Sequence, residues 1–284
     1  MITLFAHAKI NLTLEVLGRR DDGYHEVTTV LQAIDLKDTL AFELQPGIDI
    51  ECDHPDLKLA HNLAVEAARL LQETVGCTKG ALISIRKGIP LAAGLGGGAS
   101  DAAATLRALN ELWQLGLSQD QLLQLAAKVG ADAAFFLHGG TALGEGRGEK
   151  VTPLPPFPPS SLVLLKPPVD VPHNKTQRLY ASLNPSQFTL GQFSKRMVDL
   201  LEQGGEIPSS SLFNIFERVA FSAFPGLEGY WQHFLDHGAD NVHLAGSGPT
   251  LFTLMQNEDK GKELYRSLSE EGLEVYLVQT VAGR

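Results

Sequence analysis

The stretch PLAAGLGGGASDAAA, Pro90 to Ala104, decides how the chain is interpreted, because four of the five residues from Gly94 to Gly98 are glycine. Glycines leave successive backbone N–H groups unobstructed and permit the positive φ values that make such groups converge. The alanine-rich sequence that follows predicts a helix, whose N-terminus adds free amides and the positive end of a dipole. The stretch therefore predicts a phosphate-binding loop that opens a helix, in a nucleotide-dependent enzyme.

The two commonest nucleotide-binding loops do not match this stretch. A Walker loop is excluded because no G-K-[ST] ends the motif. Gly94, Gly96 and Ala99 formally fit the dinucleotide pattern G-x-G-x-x-A, but that pattern requires a strand immediately before it. Here IPLAAG intervenes, and the acidic residue expected about 20 positions later would fall in the helical LNELW. A plain flexible turn is disfavoured because a strong helical pattern follows the glycines.

Composition limits the classes of protein that the chain can represent. It has 284 residues, 44% of them hydrophobic, and a net charge of −10. That length fits one large or two modest domains, and the acidic balance disfavours a general nucleic-acid binder. Cys52 and Cys77 lack metal-ligand spacing and are expected to be free, buried thiols. The first residues do not form a signal-peptide pattern, so we expect a cytoplasmic protein or a mature organelle protein.

Periodicity predicts a mixture of strands and helices. Alternation predicts strands at LTLEVLG and ALISIRKGI. Further strands are predicted at DTLAFEL, GIDIEC, SLVLLKP and EVYLVQTVA, with two short strands around Gly-Ser-Gly-Pro in VHLAGSGPTLFTLM. Helical spacing occurs over residues 63–75, 99–113, 118–129, 191–203, 211–220 and 260–268. The segment PLPPFPPS, from Pro153 to Ser160, has five prolines in eight residues and is too stiff for a sheet interior, so it marks a domain boundary.

The glycine-rich stretch resembles the second motif of the GHMP small-molecule kinases, P-x-x-x-G-L-G-G-G-x-S. Three further blocks resemble the family and occur in its order: AKINLTLEVLGRRDDGYHEVTTV (8–30), GADAAFFLHGGTALGEGRGE (130–149) and LAGSGPTLF (244–252). The resemblance implies an α+β, two-domain GHMP kinase fold with the active site in the interdomain cleft. It places an ATP-binding and catalytic domain at 1–152, a Pro-rich linker at 153–159 and a ferredoxin-like domain at 160–284.

Two charged residues are candidates for phosphoryl transfer to an alcohol. Asp132 follows Gly130 and precedes the apolar FFL, which suggests either a partly buried carboxylate or a simple helix N-cap. Lys9 lies in the apolar AKINL. It is either a buried cation that has a partner or a strand residue whose charge reaches solvent. The resemblance implies that Asp132 is the general base and that Lys9 is its electrostatic partner.

The resemblance also implies an ATP site and a substrate that carries a cytidine diphosphate. Magnesium is expected with ATP, but no protein ligand is assigned, because Gly98 replaces a serine that helps to hold magnesium in many GHMP kinases. Ser100 lies two residues further on. The predicted ATP site comprises Pro90, Leu91, Ala92, Ala93, Gly94, Leu95, Gly96, Gly97, Gly98, Ala99 and Ser100. The predicted substrate site comprises Asn11, Tyr24, His25, Tyr180, Gly246, Ser247 and Gly248.

Without the resemblance, several of these residues have ordinary structural interpretations. Tyr24 and His25 could be a turn tyrosine and a surface histidine, and Gly246–Gly248 could be a plain hairpin turn. The segment PPVDVPHNKTQRLY departs from the common family pattern, so Tyr180 is only the nearest aromatic candidate there. Two other functions remain open: another GHMP kinase such as a homoserine kinase, and a catalytically silent nucleotide-binding protein.

Overall fold

The computed structural model describes residues 1–54, 57, 62–255 and 257–283. Its contacts divide the chain into two compact units. The first unit contains Met1–Ala8, Leu36–Pro90 and Gly96–Gly139, and the second contains Lys9–Asp35, Leu91–Leu95 and Gly140–Arg284.

The described residues contain helices α1 Leu63–Val75, α2 Gly97–Leu112, α3 Gln119–Val129, α4 Ala131–His138, α5 Lys175–Ser182, α6 Gln192–Gln203, α7 Ala220–Ala223, α8 Leu227–Asp236 and α9 Glu258–Glu270. The strands are β1 Ile2–Arg19, β2 His25–Gln45, β3 Ile48–Cys52, β4 Gly80–Arg86, β5 Thr141–Gly146, β6 Lys150–Pro153, β7 Ser161–Lys166, β8 Phe213–Asn214, β9 His243–Leu244, β10 Leu251–Met255 and β11 Glu274–Gln279.

The first unit packs four helices with a small sheet. The second half of β2 pairs antiparallel with β4, Thr39 opposite Arg86, and β3 pairs parallel with β4. Helix α2 contacts α1, α3 and α4, and its buried face is rich in alanine, including Ala102, Ala103 and Ala108. Small side chains on that face let the neighbouring helices approach closely. The glycine-rich stretch therefore leads into a helix with neighbours on several sides.

Local signals set the ends of the helices in this unit. The Asn62 side chain accepts from the Ala64 amide at the start of α1, and Gly76 ends that helix in the left-handed conformation. Ser118 and Gln121 form the capping box that the sequence predicts at the start of α3. The helices predicted over 63–75, 99–113 and 118–129 are confirmed within a residue or two.

The second unit is built on an antiparallel sheet with the order β11–β7–β10–β9. Strand β7 is central, and Leu162 to Leu165 are fully buried, as expected of a strand covered on both faces. The same unit contains the β5–β6 hairpin, the pairing of β5 with the first half of β2, and a parallel contact between β1 and β8. The predicted strands of this unit are confirmed.

One predicted helix of the second unit is wrong. Helical spacing over 211–220 predicted a continuous helix, but the chain forms strand β8, a short 3₁₀ turn over Ile215–Arg218 and the single turn of α7. The Asn214 side chain accepts from the Phe216 amide and donates to the carbonyl oxygens of Leu244 and Gly246. These long-range bonds and the pairing with β1 override the local helical pattern.

The proline-rich segment is tied to its neighbours at its start and in its middle. Pro153 ends the outer strand β6 opposite Ala142, and the Phe157 amide donates to Thr141 Oγ1 over 2.8 Å. The domain division predicted around this segment stays a prediction. Cys52 and Cys77 are free thiols, half-buried rather than buried. Among the described residues, no helix combines the length and hydrophobicity that crossing a membrane requires.

Candidate active site

The glycine-rich stretch adopts the backbone conformation that its sequence predicts. Gly94 and Gly96 have φ values of 86° and 75°, and Gly96 is the N-cap of α2. No side chain among the described residues caps this helix end. The first amides of α2 are therefore available to an anion, and the helix dipole favours negative charge there. These features fit a bound triphosphate.

Nearby backbone atoms also require a glycine at position 94. A Cβ atom built on Gly94 would lie 2.1 Å from the Ala245 carbonyl oxygen and 2.8 Å from the Gly248 amide nitrogen. Separations this short are absent from real structures, so only glycine fits without displacing the backbone. The first half of the glycine-rich stretch thus packs directly against the Gly246–Gly248 loop within the second unit.

Lys9 lies in a buried polar network on β1. Its Nζ donates to Asn11 Oδ1 over 2.8 Å, and Asn11 Nδ2 donates to Thr29 Oγ1 over 2.7 Å. Thr29 in turn donates to the Thr13 carbonyl oxygen over 2.6 Å, which fixes the orientation of the Asn11 amide. Lys9 is only 4% exposed, so it is not the solvated strand residue that the sequence left open. It is a buried cation held by hydrogen bonds.

Gly246 brings the third motif beside this lysine. A Cβ on Gly246 would lie 2.8 Å from Lys9 Nζ and 2.7 Å from the Gly94 carbonyl oxygen, and the φ of Gly246 is 54°. The structure therefore gathers Lys9, Asn11, Gly94 and Gly246 in one place. The Gly246 carbonyl oxygen accepts from Asn214 Nδ2 over 2.8 Å, which holds the loop in position. The loop joins the paired strands β9 and β10 and packs closely against Lys9 and Gly94.

Asp132 lies in the first turn of α4, in the first unit. The N-cap of α4 is Gly130, so the alternative in which Asp132 is the N-cap is wrong. The residue is half-buried, as the sequence predicts. Its assignment as the partner of Lys9 stays a prediction.

Sequence reasoning missed Lys175, the first residue of α5. Its Nζ donates to the Ala92 carbonyl oxygen over 2.6 Å and to the Gly248 carbonyl oxygen, so it ties the glycine-rich stretch to the third motif. A pocket of about 570 Å³ is lined by Ala92 and by residues 171–177. Burial, reinforced by the positive charge of Lys9, lowers the pKa of Lys175 to about 7. No sequence motif identifies this lysine, because its partners are carbonyl groups remote along the chain.

His25 and Tyr180 come together in the second unit. Their rings stack with centroids 4.8 Å apart and planes 19° apart, and Phe188 meets His25 edge-on at 6.0 Å. His25 Nε2 is buried, and no atom of the described residues hydrogen-bonds to it. Burial, with a smaller contribution from Arg19, lowers the pKa of His25, so the imidazole is neutral near pH 7.

Tyr24 and Ser247 have more exposed settings. Tyr24 is 56% exposed, and the Arg147 guanidinium lies 4.9 Å from its ring centroid. Ser247 Oγ lies 2.9 Å from Thr176 Oγ1, which connects the third motif to α5. Both residues belong to the second unit, like His25 and Tyr180. They present polar groups and an aromatic surface that a ligand could reach.

A second feature that sequence reasoning missed is a buried ion cluster in the first unit. Lys87 Nζ donates to Asp38 Oδ2 over 2.5 Å and to Asp101 Oδ2 over 2.9 Å. Asp38 Oδ1 also accepts from the amides of Gly88 and Ile89. Asp101 follows Ser100 in α2, so the cluster ties the N-terminal part of that helix to Asp38 of β2 and to Lys87, which follows β4. Desolvation raises the pKa of Asp101 to about 7, and the charge of Asp38 adds to this rise while Lys87 opposes it.

Comparison with known proteins places the chain in a class. The family model for the GHMP kinases N terminal domain matches residues 62–140, and the model for the GHMP kinases C terminal domain matches residues 194–273. The solved homoserine kinase from Cytophaga hutchinsonii is 23% identical and covers 99% of this chain and 95% of its own, with a TM-score of 0.76. That likeness supports the fold alone. Fold and family models agree on a GHMP kinase.

Relatives of higher sequence identity point to one particular family within the GHMP kinases. The 4-diphosphocytidyl-2-C-methyl-D-erythritol kinase of Dehalococcoides mccartyi is 44% identical over 281 residues, 99% of each chain. The enzyme of that name from Geobacillus kaustophilus is 40% identical over 289 residues, covering 100% of this chain and 98% of its own. A crystal structure of 4-(cytidine 5'-diphospho)-2C-methyl-D-erythritol kinase is 33% identical with a TM-score of 0.82, covering 99% of this chain and 100% of its own. The chain belongs to the 4-diphosphocytidyl-2-C-methyl-D-erythritol kinase family of GHMP kinases.

Proposed function

We propose that the protein transfers a phosphoryl group from ATP to the 2-hydroxyl of 4-(cytidine 5'-diphospho)-2-C-methyl-D-erythritol, a step of the non-mevalonate route to isopentenyl diphosphate. The observation that carries the proposal is the full-length similarity to kinases of that name, at 44% identity over 99% of the chain. The cluster of Lys9, Asn11, Gly94 and Gly246 supports it, because these residues come from separate motifs of the same family.

Phosphoryl transfer depends mainly on positioning and charge stabilisation. We assign Asp132 as the general base that accepts the hydroxyl proton, and Lys9 as its electrostatic partner, which favours the developing alkoxide. The burial of Lys9 supports its role, because a charge held away from water acts more strongly on its neighbours. Asn11 is bonded to Lys9 Nζ and is assigned to the same end of the substrate.

Residues 90–100 are assigned to ATP, with backbone amides from residues 91–100 bonding its phosphates. Two features support this assignment: the positive φ values of Gly94 and Gly96, and the N-terminus of α2, which no side chain of the described residues caps. When bound, ATP supplies the transferred phosphoryl group. Magnesium is expected with it, and no protein ligand is assigned. Gly246, Ser247 and Gly248 are assigned to the diphosphate of the substrate.

The cytosine is assigned to the aromatic group that contains His25 and Tyr180. An aromatic ring offers stacking to a base, and a buried neutral imidazole offers a hydrogen bond from its unsatisfied nitrogen. Tyr24 is assigned to the outer part of the same subsite. A cytoplasmic location remains a prediction.

Phosphorus NMR tests the reaction directly. Incubation with Mg-ATP and the cytidine substrate should give ADP and a new phosphomonoester signal. A panel scored by ADP release, including homoserine, tests whether a different GHMP kinase activity is present. ATP binding with no phosphorylated product from any substrate would identify a catalytically silent protein and would refute the proposal.

The catalytic roles are tested by Asp132→Asn and Lys9→Ala. Both should lower turnover by at least about 100-fold while leaving the far-ultraviolet circular dichroism unchanged. Asp120→Asn is a matched control, because Asp120 lies in the first turn of α3 as Asp132 does in α4. Near wild-type turnover in both Asp132→Asn and Lys9→Ala would show that this assignment of roles is wrong.

A further inference from the structure

Three side chains meet where α8 and α9 end. His233 lies in the last turn of α8, His237 follows that helix, and Glu271 follows α9. His233 Nε2 lies 2.6 Å from Glu271 Oε2, and His237 Nε2 lies 2.9 Å from Glu271 Oε1. The nearest ligand atoms of the three residues all lie within 4.8 Å of one another. The spacing of the two histidines, i and i+4 along a helix, puts both rings on one face.

The orientation of His237 is set by the backbone. Its Nδ1 lies 2.8 Å from the His233 carbonyl oxygen, which can only accept a hydrogen bond. Nδ1 therefore carries a proton, and Nε2 is the nitrogen that points towards Glu271. Histidines that bind metals commonly donate their second ring N–H to a carbonyl oxygen in this way, because the bond fixes the tautomer and the ring orientation.

The charges around the three side chains favour a cation between them. The two imidazole rings lie with centroids only 4.2 Å apart, and both Nε2 atoms lie against the same carboxylate. One divalent ion between them would bond both nitrogens and the carboxylate. The carbonyl ends of two helices face this region, and helix C-termini favour positive charge. Asp236 adds a further negative charge that acts on His237.

We propose that His233, His237 and Glu271 bind one zinc ion, with water as the fourth ligand. Two imidazole nitrogens and one carboxylate oxygen are a ligand set that suits zinc, whereas magnesium and calcium prefer oxygen ligands. Bond lengths of about 2.0–2.2 Å place tetrahedral ligand atoms roughly 3.3 Å apart. The side chains are 34%, 21% and 43% exposed, so a small rotamer change opens the present spacing to that distance.

The site would connect α8 to α9 and so act on the folding of the second unit. None of its residues belongs to the assigned catalytic or binding groups. The inference is therefore independent of the proposed kinase activity. Zinc should raise the thermal stability of the protein, because a ligand that binds the folded state alone stabilises it by an amount that grows with the logarithm of its concentration above the Kd.

Isothermal titration calorimetry of the full chain, without a histidine tag and in a buffer free of ATP and phosphate, tests the inference. Wild-type protein should bind one zinc ion per chain, and neither magnesium nor calcium should replace it. Titration with cobalt(II) should give the visible absorption of a tetrahedral site. His237→Ala and Glu271→Gln should each weaken zinc binding by at least about tenfold.

Two neighbouring substitutions are controls. Glu270→Gln removes an adjacent exposed carboxylate, and Gln232→Ala changes the adjacent exposed position of α8. Both should keep wild-type zinc affinity and the zinc-dependent rise in melting temperature, which His237→Ala should lose. Equal zinc binding by all variants would show adsorption to the acidic surface and would overturn the inference. So would the absence of stoichiometric binding by the wild type.

Discussion

The buried cluster of Lys87, Asp38 and Asp101 makes a quantitative prediction about stability and pH. The side chains of these residues are 7%, 0% and 4% exposed. One lysine faces two carboxylates, so the cluster has a net negative charge unless one carboxyl group binds a proton. Asp38 accepts from Lys87 and from two amides, whereas Asp101 Oδ1 is buried and lacks a hydrogen-bond partner among the described residues. Asp101 is therefore the group that takes the proton.

The sign of the effect follows from linkage. Desolvation raises the pKa of Asp101 from 3.8 to about 7 in the folded protein. Between those pH values the folded state binds more protons through this group than the unfolded state does, so the contribution of Asp101 to stability is full below pH 4 and is lost as the pH rises through 7. Well inside this window each pH unit lowers the free energy of unfolding by about 1.36 kcal/mol. From pH 5 to pH 7, where the folded carboxyl group becomes half ionised, the loss should be about 2 kcal/mol.

Asp101→Asn should remove this slope, because an amide has the shape of the protonated carboxyl group and does not titrate. The difference in free energy of unfolding between the variant and the wild type should grow in favour of the variant by about 2 kcal/mol from pH 5 to pH 7. Urea unfolding followed by circular dichroism at pH 5, 6, 7 and 8 measures it. Glu111→Gln, on the exposed part of the same helix, is the control and should show no such trend.

Two results would refute this reasoning. A constant difference across the pH range would mean that Asp101 is ionised throughout, with Lys87 balancing both carboxylates. A loss of stability in Asp101→Asn that grows with pH would mean that the carboxylate form stabilises the fold. Lys87→Met gives the complementary result: it leaves two buried carboxyl groups without a cation and should cost about 3–5 kcal/mol at pH 8.

Three further outcomes test the site in the second unit. Gly94→Ala would place a Cβ 2.1 Å from the Ala245 carbonyl oxygen, so turnover should fall about 10- to 100-fold. Gly204→Ala has a similar φ, +69°, with open space around it, and should keep its turnover in the same assay. The pKa of Lys175 is lowered to about 7, so the free energy of unfolding of the wild type relative to Lys175→Met should fall as the pH drops from 10 towards 7, measured by urea titration. Tyr180→Ala should raise the KM for the cytidine substrate about tenfold through lost stacking, with the KM for ATP unchanged.

Features that depend on local sequence could be predicted well. The capping box of Ser118 and Gln121, the glycine that ends α1 and the apolar run of β7 each act within a few residues, so each is visible in the sequence. The helix predicted over 211–220 failed for the opposite reason. Asn214 bonds to carbonyl groups 30 and 32 residues away, and no local pattern records those partners.

The residues of the candidate site also fall into these two groups, those that a local sequence pattern identifies and those that it does not. Gly94 and Gly246 carry a backbone requirement, a positive φ and no room for a Cβ, that only one residue type meets. Such positions retain a recognisable motif, and the family resemblance rests on motifs of this kind. Lys87 and Lys175 are needed for their charge instead. A charged side chain can reach the same partners from many positions along the chain, so no fixed sequence pattern marks it. Lys175 bonds to groups 83 and 73 residues away, so its contribution to the site follows from the fold rather than from any motif.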